Sequence, residues 1–139
     1  MDRALLDTDA FSEVLKGVNA SVIAHATEYR SQFGAYTIST ITVMEIVKGF
    51  HKVQREEQLK KFLEGLSALD VLTLDLASAE LAGRIYADLE RTGQPIGRAD
   101  PMIAAIAIQN DLMLVTGNTA HYQRVQQLGH ALRLDNWRT

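Results

Sequence analysis

Five short apolar runs alternate with longer amphipathic stretches along this chain, and that alternation constrains its fold more than any other feature. The runs are "RALLD", "AYTIS", "DVLTLD", "LMLVT" and "HALRLDNW". They are rich in Leu, Ile, Val and Thr, too short for helices, and each reads as a buried strand. Between them lie segments with helical spacing. "AFSEVLKG" closes at Gly17, and "ASVIAHATEYRSQFG" carries Val22, Ala26 and Tyr29 on one stripe and ends at Gly34. "TVMEIVKGFHKV" and "REEQLKKFLEGLSAL" follow, the latter with Leu59, Phe62, Leu63 and Leu66 at i, i+3, i+4, i+7. "ASAELAGRIYADLERTG", the almost wholly apolar "PMIAAIAIQND" and the weaker "TAHYQRVQQLG" complete the set. Strands that alternate with helices predict a three-layer α/β/α sandwich around a mostly parallel sheet of about five strands. With 139 residues and 47% hydrophobic content, the expectation is a single domain over residues 1–139.

Composition excludes several kinds of chemistry. The chain has no cysteine, so disulfides, thiolate zinc sites and a cysteine nucleophile are ruled out. The start "MDRALLDTDAF" lacks the pattern of a secretory signal, and "MIAAIAI" is too short to cross a bilayer. The expectation is a cytoplasmic protein without membrane contact. A net charge of −3 argues against a broadly basic nucleic-acid surface and leaves a local one open.

In open parallel sheets, sites form outside the carboxyl ends of the strands. Acids fall at those points. Asp7 and Asp9 follow the first strand, Glu45 lies a turn beyond the second, and Asp100 opens the apolar helix. Asn118 follows the fourth strand. Helix capping accounts for part of this. Thr42-Val-Met-Glu45 has the form of a capping box, and Asp100 before Pro101 reads as an N-cap. Asp9 and Asn118 are candidate caps as well. Asp7 stands two residues before a better cap, so capping explains it less well. Carboxylates drawn into one cavity repel, by roughly 4 kcal/mol at about 4 Å and an effective dielectric near 20. A hard cation such as Mg²⁺ or Mn²⁺ relieves that repulsion.

The stretches "LLDTDAF", "ISTITVMEIVKG" and "GQPIGRADPMIAAIAI", and then "LVTGNTAHYQRV" through "LDNW", resemble in that order the PIN-domain nucleases. More closely, they look like the VapC-type toxins of bacterial toxin–antitoxin pairs. The resemblance implies a Mg²⁺- or Mn²⁺-dependent endoribonuclease that cuts transfer or ribosomal RNA. It implies catalytic roles for Asp7, Glu45, Asp100 and Asn118, with the metal on Asp7, Asp100 and Glu45. The fourth polar position falls on Asn118, or three residues on at His121, and Asp9 stands where asparagine is usual. Ser39 and Thr116, hydroxyls at strand ends, and Arg98 are candidate supporting or substrate contacts. Arg98 is equally open to pairing with an acid. The resemblance also implies a homodimer and a cognate VapB-type antitoxin, with operator DNA met only through that antitoxin.

Other classes share parts of this pattern. Haloacid-dehalogenase phosphatases also begin with a strand and D-x-D, but Phe11 stands where Thr or Val belongs. A receiver domain would use Asp75 as phosphoacceptor and Thr116 as its hydroxyl. A non-catalytic PIN-fold binding module is left open by Asn118 and His121.

Overall fold

Ala4, Leu5 and Leu6 form strand β1, and all three are buried, because β1 lies at the centre of the sheet with packing on both faces. The computed structural model describes residues 1–139. Helices α1 (Thr8–Lys16) and α2 (Ala20–Phe33) follow, then β2 (Thr37–Ser39), α3 (Thr40–Lys52) and α4 (Glu56–Gly65). A 3₁₀ turn (Leu66–Ala68) leads into β3 (Asp70–Leu72). Then come α5 (Leu76–Arg91), α6 (Ala99–Gln109), β4 (Met113–Val115), α7 (Thr119–Gln127) and β5 (Leu134–Asp135). The sheet order is β3-β2-β1-β4-β5, and every pairing is parallel. The expected α/β/α sandwich is therefore observed.

Side chains alternate across β1 with the period of two that a strand requires. Leu5 joins the core built by α5, α6 and α7, with Ile85, Leu89, Ile103, Ile106 and Val125. Ala4 and Leu6 join the opposite core, with Phe11, Val22, Tyr29, Ile38 and Phe62. Trp137, beyond the last strand, is 3% exposed and belongs to that second core. The apolar helix α6 is enclosed as expected: Ile103 through Ala107 are all buried.

The apolar stripe on α4 is only partly core. Leu59 and Phe62 are buried, whereas Leu63 is 46% exposed, because the stripe is wider than the face the helix turns inward.

Candidate functional site

β1 is the switch point of the sheet: the chain runs from it to β2 on one side, while β4 and β5 lie on the other. A crevice opens at the carboxyl ends of strands flanking such a point. Asp7 ends β1 there, and Thr116 ends β4. The Asp7 N–H donates to the Val115 carbonyl at 3.0 Å, which fixes the two strand ends together.

Asp7 is the N-cap of α1. Its backbone is extended, and its Oδ1 accepts from the Ala10 N–H at 2.8 Å. This corrects the expectation that Asp9 caps. Helix α1 starts two residues earlier than the apolar pattern suggests, so Asp9 falls in its first turn and is exposed. Capping uses only one oxygen of Asp7. The residue is 4% exposed, and burial pushes its carboxyl up to about 6, with Asp9 and Asp100 adding to the rise. The Thr116 hydroxyl and the Ala10 N–H pull the other way.

Two further cap assignments change. Ser39 caps α3, its Oγ accepting from the Thr42 N–H at 3.1 Å, so Thr42 is the third residue of the helix and not its cap. Ser39 is thereby committed to α3 and to Thr42, and no contact joins it to the acids. Asp100 is the second residue of α6 and not its cap, because the helix begins at Ala99. Its carboxylate is thus free for other partners. Asn118 precedes α7 but makes no side-chain cap bond. Its amide instead meets His121 Nδ1 at 2.9 Å.

Glu45 is fixed from below. Its Oε1 accepts from the Thr8 hydroxyl at 2.5 Å, and Thr8 Oγ1 lies 3.1 Å from Thr42 Oγ1. Asp100 is half-buried, with His121 Nδ1 3.6 Å from its Oδ2. Burial raises the Asp100 carboxyl, and the nearby Tyr122 and His121 oppose that rise. Tyr122 is 1% exposed. Burial pushes its phenol well up, and so do the charges of Asp100, Asp7 and Glu45. Its hydroxyl faces Asp100 without completing a hydrogen bond of good geometry. Three carboxylates far apart in sequence therefore act on one buried oxygen.

Thr116 is fully buried, and its Oγ1 accepts from the Asn118 N–H at 2.9 Å. Arg98, at the mouth of α6, is exposed and forms no ion pair, so pairing with an acid is not its role in this conformation. Sequence reasoning missed Thr8 and Tyr122. Thr8 sits between the two conspicuous acids of "DTD", and Tyr122 reads only as an apolar position of a weak helix.

The site offers oxygen donors, the set that hard divalent cations take. No three His, Asp or Glu side chains close into a ready cage. An open arrangement suits Mg²⁺, which keeps several waters and binds through one or two carboxylates beside a substrate phosphate. The buried charge on Asp7 and the unpartnered Tyr122 hydroxyl are the features such an ion and its waters would balance.

The receiver reading fails on topology. Receivers follow the order 2-1-3-4-5, whereas this sheet is ordered β3-β2-β1-β4-β5. Asp75 caps α5 through the Ser78 N–H at 2.8 Å and stands apart from the acids at the switch point.

Fold and site together define a parallel α/β/α domain with carboxylates gathered at its switch point. The PIN domain family matches residues 4–127. The tRNA(fMet)-specific endonuclease VapC of Shigella flexneri is 36% identical over 138 residues, 99% of each chain. Ribonuclease VapC2 of Haemophilus influenzae is 32% identical, again over 99% of each chain. Among solved structures, DNA-bound VapBC from Salmonella typhimurium superposes with a TM-score of 0.81 at 30% identity, covering 99% of both chains. The chain belongs to the PIN domain family and, within it, stands among the VapC ribonucleases. No helix is long and apolar enough to cross a membrane.

Proposed function

We propose that this protein is a divalent-cation-dependent endoribonuclease and the toxin of a toxin–antitoxin pair. The observation that carries the reading is a buried Asp7 at the carboxyl end of the central strand of a PIN-family sheet, with Asp100 near enough to act on it.

Asp7 and Asp100 would hold Mg²⁺ or Mn²⁺, with Glu45 as a further ligand or acting through a water. When bound, the cation supplies positive charge for a phosphate and acidifies water toward neutral pH. Asp7 is rigid for this task, since one of its oxygens is tied to the Ala10 N–H. Glu45, held by the Thr8 hydroxyl, orients the attacking water and takes its proton. Attack in line with the leaving 3′-oxygen forms the new P–O bond and breaks the P–O3′ bond, and the leaving oxygen takes a proton from solvent, giving 5′-phosphate and 3′-hydroxyl ends. Asn118 steadies His121 beside Asp100, and Arg98, exposed at the rim, meets RNA phosphate.

Transfer RNA is the favoured substrate, because the Shigella relative is named for tRNA(fMet). Solved relatives are VapBC assemblies, two of them bound to DNA. By that analogy the chain pairs with a VapB-type antitoxin, meets operator DNA through it, and works as a homodimer in the cytoplasm.

Purified protein should cleave RNA with Mg²⁺ or Mn²⁺ and stop with EDTA. Full activity in both Asp7→Asn and Asp100→Asn would rule the assignment out. Binding of an antitoxin without cleavage at any cation concentration would favour the non-catalytic module.

A further inference from the structure

Three buried side-chain polar atoms lack a hydrogen-bond partner: Ser78 Oγ, Tyr122 Oη and His130 Nε2. Only the Tyr122 oxygen feels the site carboxylates, Asp100 most strongly, then Asp7 and Glu45. The ring is locked in the core of α5, α6 and α7 beside Ile85, Ile106 and Val125. The residue is 1% exposed, so the hydroxyl is shielded from bulk water.

Packing does not account for that oxygen. A phenylalanine ring fills the same space without burying an unpaired hydroxyl, which is costly. The neighbours are all acceptors when ionised, and a phenol is a donor. Asp100 also has His121 Nδ1 at 3.6 Å from its Oδ2. Its carboxylate therefore has a buried, unpaired phenol and a half-exposed imidazole as neighbours.

We propose that the Tyr122 hydroxyl, unpaired in the cation-free protein, is a positioning donor that holds one oxygen of Asp100 when a divalent cation takes the other, and so sets the affinity for that cation. The proposal rests on the cation reading of the site given above. Outer-shell partners of metal-binding carboxylates act in this way, and losing one commonly weakens metal binding about 10–100-fold.

The test is calorimetric titration of Mn²⁺ into the full-length, RNA-free protein. Tyr122→Phe should bind Mn²⁺ about 10–100-fold more weakly than the unaltered chain. Its thermal midpoint in EDTA should be unchanged or higher, since a buried unpaired hydroxyl has gone. Val125→Ala loosens the same core without touching the hydroxyl, and its Mn²⁺ affinity should match the unaltered chain. Equal affinity in Tyr122→Phe overturns the positioning role while leaving the cation site standing. An equal loss in Val125→Ala also overturns it, because packing alone then explains the effect. No Mn²⁺ uptake by the unaltered chain overturns the cation reading itself.

Discussion

The Thr8 hydroxyl donates to the Glu45 carboxylate at 2.5 Å, joining the first turn of α1 to the second turn of α3. This bond holds a half-buried acid in place, and the adjacent Thr42 hydroxyl, 3.1 Å from Thr8, supports it. Thr8→Val keeps the shape and removes the donor. RNA cleavage should fall about 10–100-fold, the usual effect of losing an outer-shell partner. The fold should persist, since Glu45 can turn to water. Single-turnover cleavage and a urea melt read the two effects separately. Unaltered cleavage would show that Glu45 needs no such support.

Asp7 makes stability depend on pH in a predictable direction. Its folded pKa is raised from 3.8 to about 6, mainly by burial. A carboxyl raised in this way contributes stability that is whole below about pH 4. That contribution is lost as the pH rises through about 6. In EDTA the loss should amount to roughly 3 kcal/mol across that window. Asp7→Asn should remove this component, so the difference between the two urea-stability profiles isolates it. Added Mn²⁺ should restore stability above pH 6, by about 2.7 kcal/mol at a concentration a hundred times its Kd. A flat difference profile would mean that Asp7 is not desolvated as placed.

The layered fold was legible because the strand-like runs are bounded by helical spacing on every side. The acids at the carboxyl edge of the sheet were legible too, but their capping roles were misread. "LLDTDAF" offers two residues able to cap, and only the tertiary start of α1 decides for Asp7 over Asp9. Asp100 before Pro101 has the look of a cap, yet one more residue of helix at Ala99 frees its carboxylate. Thr8 and Tyr122 carried no signal, since the acids that concern them, Glu45 and Asp100, lie 37 and 22 positions away. Such contacts arise from sheet order, which hydrophobic spacing does not specify.

Tyr29 shows what a satisfied buried phenol is worth here. Its hydroxyl accepts from the Ala4 N–H at 3.0 Å and donates to the Ala4 carbonyl at 3.2 Å, closing the start of the central strand. Tyr29→Phe leaves a buried N–H unpaired and should cost about 1–3 kcal/mol. Tyr122→Phe, by contrast, should cost nothing in EDTA, because its hydroxyl has no partner to lose. Parallel urea melts compare the two substitutions directly. A similar cost for both would show that the Tyr122 hydroxyl is bonded after all.

Asp75 provides the control that separates the switch-point acids from acids in general. It is a helix cap like Asp7, with its carboxylate on the Ser78 N–H and its carboxyl held below the usual range by that contact. Unlike Asp7, it is fully exposed and remote from the crevice chemistry. Asparagine caps a helix about as well as aspartate. Asp75→Asn should therefore leave RNA cleavage and stability near their original values. Asp7→Asn also retains an acceptor for the Ala10 N–H, so its helix should survive while cleavage falls at least 100-fold, a loss of about 2.7 kcal/mol in transition-state stabilisation. Toxicity on expression should follow cleavage, lost with Asp7→Asn and kept with Asp75→Asn. Equal losses in both variants would trace the effect to capping and not to a carboxylate at the end of β1.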